Sequence, residues 1–264
     1  MATSIFDIEV RLDINKEFNK MVKYLHHTSN TTYTKIYGST FIEAINYYAI
    51  KVWPYRGTAI TCEEYLENIG ISSYYFKDGM GIDKIKFLYY LEFIYNIYKF
   101  ASYRGLIKIE SESVKAIIKN LNLIVEQMNY EFVKKEDKYL LVKRNADIDS
   151  ILTLVEKDIA ELLLEYNDFK IKDNLQRKSE ILKSIDKYIE KNQSEYSKID
   201  KDSYKSWGYI VNNFGVNHKT NEKYKDEDEN NLIKWYDKAF MLSIHLIRLT
   251  KIKEINNERK SLES

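Results

Sequence analysis

A short segment near the C-terminal end of the chain gathers residues whose types could do chemistry. Residues 207 to 220 read Trp-Gly-Tyr-Ile-Val-Asn-Asn-Phe-Gly-Val-Asn-His-Lys-Thr, an apolar helix that runs into three asparagines, a glycine and a histidine. Asparagine and glycine favour hydrogen bonding and left-handed backbone over continued helix. The histidine, His218, is a side chain that can exchange a proton near neutral pH. The pattern predicts a polar cluster at a helix terminus.

Few other residues offer catalytic chemistry. The chain has four histidines and a single cysteine, Cys62, which excludes an internal disulfide and Cys-based zinc sites. His26 and His27 are neighbours on a helix and point about 100° apart, so joint metal ligation is disfavoured and a solvated helix cap is predicted. His245 lies on an apolar helix face. We expect it to be a core histidine with one hydrogen bond, or to face a cleft.

Common motifs for phosphate binding and hydrolysis are absent from the sequence. It has no glycine-rich phosphate loop, no His-Glu-x-x-His helix and no Gly-x-Ser-x-Gly turn. The carboxylates at 63–64 and 226–229 are interpreted as helix capping and a solvated charge run. No spacing favours the alternative, a carboxylate metal site, and no cofactor is predicted.

The segment from Trp207 resembles the C-terminal region of abortive-infection proteins, which carry the HEPN helical-bundle fold. Their motif is Arg-Asn, then an aromatic residue and Gly, then His, and the matching residues here are Asn212, Phe214, Gly215 and His218. The arginine of the motif falls on Val211, which has no charge. The resemblance covers roughly residues 110 to 250 and leaves the first hundred residues unassigned.

The resemblance implies a metal-independent ribonuclease of bacterial or phage conflict that acts as a homodimer. His218 would be the acid and base at the ribose 2′-hydroxyl, and Asn212 would orient it. Phosphate or RNA contacts would come from four further residues: Asn213, Lys219, Lys205 and Lys223. The alternative is a non-catalytic helical module for dimerisation or for binding another protein. In the simplest interpretation, Asn212 and Asn213 cap the helix and His218 is a surface residue.

Composition and charge limit the class of protein. The chain has 264 residues, of which 44% are hydrophobic and 31% charged, and its 23 Tyr, 11 Phe and 3 Trp predict a folded core. The net charge of +1 gives no global field that would attract nucleic acid or an anionic membrane. The longest apolar stretch, 87–100, is interrupted by Glu92, Asn96 and Lys99 and is too short to cross a bilayer. Together with the single cysteine and the lack of a signal-peptide pattern, this predicts a cytoplasmic protein.

The elements that would position the candidate site are mostly helices. Eight Gly and one Pro supply too few turns for a protein of many short strands, so the fold class is predicted as mainly α. Apolar spacings of three and four residues predict helices in the N-terminal part at 6–25, 36–53, 61–69, 82–103 and 113–128. Thr61 and Glu64 have the spacing of a capping box, and Gly70 is expected to end that helix.

One β-hairpin separates the two helical parts. Alternating residues with a charged turn predict strands within 130–143, which must pack on helices because two strands alone are marginal. Four amphipathic helices follow, near 151–166, 181–189, 204–214 and 232–247. The predicted domains are therefore a helical N-terminal domain at 1–148 that ends in the hairpin, a HEPN-like bundle at 149–255 and a frayed tail at 256–264.

Overall fold

A computed structural model describes residues 12–29, 39–77, 80–191, 193–216, 223–224 and 227–262 of the chain. These residues form a mainly α fold with one two-stranded antiparallel hairpin, which confirms the predicted fold class. The chain divides into two compact units between Leu141 and Val142. This division lies inside the second strand, a little before the boundary at 148 that the sequence suggested.

The N-terminal unit contains five α-helices within the described ranges: α1 (Ile14–His26), α2 (Phe41–Tyr48), α3 (Cys62–Asn68), α4 (Lys84–Tyr103) and α5 (Glu112–Gln127). Short 3₁₀ helices lie at Ile50–Val52 and Ser73–Phe76. Helix α1 begins with Asp13 as N-cap. Helix α2 begins after its N-cap Thr40, and α4 begins two residues later than predicted because Asp83 caps it. The predicted helical residues 6–11 and 36–38 lie outside the described residues.

The predicted cap at Thr61 is present. Its Oγ1 accepts a hydrogen bond from the Glu64 N–H at 3.1 Å, while the Glu64 carboxylate accepts from the Ile60 N–H at 2.7 Å. Gly70 follows α3 with φ 83°, the left-handed conformation that ends a helix without steric cost. The helix is therefore present at Cys62–Asn68 with Thr61 as its N-cap and Gly70 after its end, but the capping box is not closed, because Glu64 bonds the N–H of Ile60 and not that of Thr61.

Helix α4 forms the centre of the N-terminal core. Ten of its residues are buried, on more than one side: Phe87, Leu88, Tyr90, Leu91, Phe93, Ile94, Tyr95, Asn96, Ile97 and Ala101. The hairpin strands are β1 (Tyr130–Lys135) and β2 (Lys138–Lys143). Strand β1 packs on α5, and the Tyr95 ring stacks on Phe132 at 3.8 Å. The prediction that the hairpin lies against helices is confirmed.

The C-terminal unit is built on α7 (Lys157–Tyr166), α8 (Leu175–Lys191), α10 (Lys201–Asn213) and α11 (Glu229–Leu262). Two short helices that the sequence did not suggest are α6 (Ala146–Asp149) and α9 (Gln193–Ile199). Helices α8 and α10 both pack against α11. Helix α11 has 34 residues and continues to Leu262, through the segment for which a frayed tail was expected.

None of the helices in the described ranges is long and apolar enough to cross a membrane.

Candidate functional site at the end of helix α10

Helix α10 ends where the sequence places the polar cluster. Phe214 is its C-cap residue, and Gly215 follows with φ 81°, in the left-handed region. The side-chain amides of Asn212 and Asn213 donate to the carbonyls of Gly208 and Tyr209, both at 2.8 Å. Both asparagines therefore bond back to the preceding turn and do not cap the C-terminal carbonyls.

Asn212 carries an unusual polar atom. Its Oδ1 is buried and has no hydrogen-bond partner among the described residues. An unpaired buried acceptor costs about 1–3 kcal/mol. Nδ2 of the same amide donates to the Gly208 carbonyl, which fixes the orientation of the amide. Oδ1 therefore has a fixed direction and is available to a hydrogen-bond donor.

The residue before Asn212 lies in the hydrophobic core. Val211 is 1% exposed and belongs to the same core cluster as Trp207, Ile210 and Phe214. This is the position that the resemblance gives to a phosphate-binding arginine. A guanidinium there would be buried among apolar side chains and would not reach a ligand in solvent.

The remaining predicted site residues are distributed as follows. His218 and Lys219 lie outside the described residues. Lys205 and Lys223 are exposed. Lys205 precedes Asn212 by two helical turns, so helical periodicity places the two on one face of α10, about 10 Å apart along its axis. The described part of the candidate site thus has one oriented amide and exposed cations, and no general acid or base.

An aromatic stack, which the sequence analysis did not identify, fixes the chain after α10. The Phe214 ring stacks on Tyr224 at 4.5 Å and on Trp235 at 4.6 Å. The Tyr236 hydroxyl donates to the Phe214 carbonyl at 3.0 Å, and Lys238 Nζ lies 3.7 Å from the Trp235 ring centroid. The sequence does contain three aromatic residues after the helix, Tyr224, Trp235 and Tyr236. Helical spacing alone, however, does not show that they pack near Phe214.

An ion pair between a buried lysine and a half-exposed aspartate joins α7, α8 and α11. Lys178 is 3% exposed, and its Nζ donates to Asp237 Oδ1 at 2.5 Å, where the Tyr166 hydroxyl also donates at 3.0 Å. Burial, and after it the Asp237 carboxylate, raises the pKa of Tyr166. The tyrosine therefore stays protonated and acts as a donor. This cluster holds three helices together and offers no free nucleophile.

His26 and His245 differ from their predicted environments. His26 is not a solvated cap, since it stacks on Phe76 at 4.4 Å and its Nε2 lies 2.9 Å from the Tyr90 hydroxyl. His245 is not in the core, because its side chain is half exposed and its Nε2 lies 3.1 Å from Asp200 Oδ2. The cap prediction holds for His27, the exposed C-cap residue of α1, and is wrong for His26. The core prediction for His245 is also wrong, because an amphipathic pattern does not show which polar partner another element supplies.

The His245 partner has a structural role. Asp200 is the N-cap of α10 and accepts from the Ser203 N–H at 3.0 Å. These bonds to Ser203, and then the bond to His245, lower the pKa of Asp200 to about 2. The carboxylate is therefore ionised at neutral pH. Its negative charge interacts favourably with the positive, N-terminal end of the α10 helix dipole.

Nothing among the described residues forms a group of three or more His, Cys, Asp or Glu side chains able to hold a metal ion. No protein-family model, no curated protein and no solved structure matches the chain.

Proposed function

We propose that the C-terminal unit is a non-catalytic helical module that associates with a second copy of itself through the last turns of α11. The observation that carries the proposal is the exposure of residues 252–262 on a helix that continues to Leu262. Most helix stability in proteins comes from packing of an apolar face, and residues 252–262 leave theirs exposed. The end of α11 is therefore expected to have a partner.

The exposed segment has an apolar stripe. Ile252, Ile255 and Leu262 are 44%, 53% and 88% exposed, and their spacings of three and seven residues place them on one face of the helix. Met241, 68% exposed, precedes Ile255 by two heptads and extends the same face. The stripe has the spacing of a helix that packs on another helix.

The charges beside the stripe favour a second copy as the partner. Residues 251–260 carry both signs: Lys251, Lys253, Glu254, Glu258, Arg259 and Lys260. A uniformly charged flank would repel its own copy, whereas a mixed flank allows carboxylates of one helix to lie beside basic groups of the other. A two-fold pairing of identical faces also closes the assembly at a dimer.

The position of Val211 argues for this function over catalysis. In the nuclease interpretation a charged arginine next to Asn212 would bind phosphate. In this chain the position contributes to the core that holds α10 in place. The resemblance to HEPN bundles, which pair through the helices beside their motif, supports the same self-association.

The test compares two substitutions on the same exposed helix. Ile255→Glu puts a charge on the stripe, and Asn257→Glu adds the same charge two residues away, off the stripe. Sedimentation is expected to show a dimer for the wild-type chain and for Asn257→Glu, and a monomer of 31.5 kDa for Ile255→Glu. A wild-type chain that remains a monomer at micromolar concentration would overturn the proposal.

A second candidate is the ribonuclease itself, and the unpaired Oδ1 of Asn212 favours it. A fixed, buried acceptor is suited to orient a ring N–H, the role that the resemblance gives to Asn212 toward His218. Phosphate charge would then be met by the nearby lysines.

A further inference from the structure

The N-terminal unit contains a cleft of about 470 Å³ that the proposed function does not use. It lies between the C-terminal end of α4, the hairpin and the turn after residue 53. Its lining residues are Pro54, Tyr55, Lys99, Phe100, Tyr103, Arg104, Lys134, Asp137 and Tyr139. This size is in the range of clefts that hold small organic ligands.

Three cations and four aromatic rings line the cleft. Only one carboxylate, that of Asp137, is among its lining residues. Within the described ranges, Lys99, Arg104 and Lys134 form no ion pair. Arg104 and Lys99 lie over aromatic rings, with Arg104 Cζ 5.0 Å from the Phe100 centroid and Lys99 Nζ 5.1 Å from that of Tyr95. Their charges are therefore not neutralised by a protein carboxylate.

Tyr103 presents a ring to solvent beside the partly buried Phe100. Tyr103 is 93% exposed, an unusual state for a large ring, and it follows Phe100 by three residues on the same face of α4. Lys99 precedes Tyr103 by one turn. A planar base could stack on these rings while the cations contact a phosphate, the combination that nucleotide-binding grooves use.

The walls of the cleft are held rigidly. Asn96, one turn before Phe100, fixes the backbone of Tyr139 with two hydrogen bonds. On the other side, Arg56 donates to the carbonyls of Lys51 and Ala59 at 3.1 and 2.8 Å and so holds the turn that carries Tyr55. A rigid cleft loses little conformational entropy when a ligand binds.

Helix stability alone does not explain this arrangement. A cation near a helix C-terminus is favoured by the helix dipole, which accounts for Arg104 at the C-cap of α4. It does not account for Lys134, which comes from strand β1. It also does not account for Tyr103, which gains nothing from exposure to water.

From the cations and aromatic rings that line the cleft together, we infer that it binds a nucleoside phosphate, either as a free nucleotide or as part of a single-stranded RNA. The base would stack on Phe100 and Tyr103. The phosphate would contact Lys99, Arg104 and Lys134. The inference concerns the N-terminal unit and does not depend on self-association through α11.

The binding experiment uses the full chain with two probes, adenosine monophosphate and a short labelled oligouridine, at low salt. The Trp53 ring lies 6.1 Å from Tyr55, so quenching of intrinsic fluorescence offers a readout beside calorimetry. If the ligand is single-stranded RNA, three phosphate contacts predict a log–log salt slope of about −2. Tighter oligouridine binding with this slope identifies RNA, and equal affinity for the two probes identifies a free nucleotide.

Matched variants test the residues of the cleft. Tyr103→Ala is expected to weaken binding roughly 5- to 150-fold through lost stacking, while Tyr47→Ala, at another exposed tyrosine, leaves it unchanged. Arg104→Ala should reduce the magnitude of the salt slope by about 0.7, with Lys119→Ala on α5 as the unaffected control. Asp137→Asn should strengthen binding, a gain that misfolding would not produce.

Two outcomes would overturn the inference. One is that neither probe binds the wild-type chain at low salt. The other is that both probes bind but Tyr103→Ala and Arg104→Ala bind as well as their controls.

Discussion

The side-chain amide of Asn96 pairs with the backbone of Tyr139 as a neighbouring strand would. Asn96 Oδ1 accepts from the Tyr139 N–H at 2.7 Å, and Asn96 Nδ2 donates to the Tyr139 carbonyl at 2.8 Å and to the Glu92 carbonyl at 2.9 Å. The Glu92 carboxylate accepts from the Leu141 N–H at 3.1 Å. Two polar residues of a buried helix thus satisfy the outer edge of strand β2.

Asn96→Ala is expected to destabilise the protein by about 2–4 kcal/mol. The substitution leaves the Tyr139 N–H and carbonyl without partners at a site where Asn96 is 8% exposed, and each unpaired buried group costs about 1–3 kcal/mol. Urea denaturation would measure the loss. Amide exchange at Tyr139 should accelerate as the hairpin detaches from α4.

Asn122→Ala is the matched control, because Asn122 is exposed on α5. It should change the free energy of unfolding by less than about 0.5 kcal/mol. Equal stability of Asn96→Ala and Asn122→Ala would show that the amide bonds to Tyr139 do not hold the hairpin.

The sequence predicted the hairpin and α4 but not the bond between them. Apolar spacing and alternation identify an element from its own residues, and they worked for α3, α4, α5 and both strands. Asn96 appeared only as an interruption of an apolar run. Its partner is 43 residues away, and no local pattern relates a helix amide to a strand edge.

For the candidate site, too, the sequence predicted local features but not tertiary contacts. The left-handed Gly215 and the end of α10 follow from local residue types, because helix termination is a local property. The burial of Val211 depends on which face of α10 meets α11, and the stack of Phe214 on Trp235 depends on two separate helices. Those are tertiary properties, and the cleft beside Tyr103 is one as well.

A pH dependence of stability is expected from His26. Burial, and after it the charge of His27, lowers the pKa of His26 to about 3, while in the unfolded chain it is about 6.5. Between these values the unfolded chain binds a proton that the folded protein does not. The contribution of His26 to stability is therefore complete above about pH 6.5 and is lost as the pH falls toward 3.

His26→Gln should remove this dependence, and urea denaturation from about pH 4 to 6 measures it. The wild-type slope should include up to about 1.4 kcal/mol per pH unit that the variant lacks. His27→Gln, at the exposed neighbour, should keep the slope. If His26→Gln and the wild type show parallel stability curves, His26 is protonated in the folded protein and its burial has no such effect.

Val211→Arg tests whether the position after Ile210 belongs to the core. Val211 is 1% exposed, so the substitution buries an unpaired guanidinium and is expected to cost about 3 kcal/mol or more. Thermal unfolding should show a large fall in the melting temperature. Ser206→Arg adds the same charge at an exposed position of α10 and should be nearly neutral.

A folded and stable Val211→Arg variant would contradict the packing of α10. It would also make the substitution informative for catalysis, because it would restore the arginine that the nuclease motif lacks. A loss of fold, as we expect, means that this chain cannot regain the motif by that single change.

The last prediction concerns RNA cleavage, the second candidate function. If the wild-type chain cleaves single-stranded RNA, His218→Ala should reduce the rate by about 10²- to 10⁴-fold, the usual contribution of a general acid or base. Asn212→Ala should reduce it less, because an orienting acceptor acts through the histidine. Chelators should leave the rate unchanged, since the proposed chemistry uses no metal.

His245→Ala is the control for the cleavage assay. It removes the histidine that bonds to Asp200 in the same unit and should leave any cleavage intact. Growth on expression gives a second readout, which His218→Ala should relieve. If the wild-type chain neither cleaves RNA nor slows growth, the polar end of α10 has no catalytic role, and self-association through α11 is the function that the C-terminal unit retains.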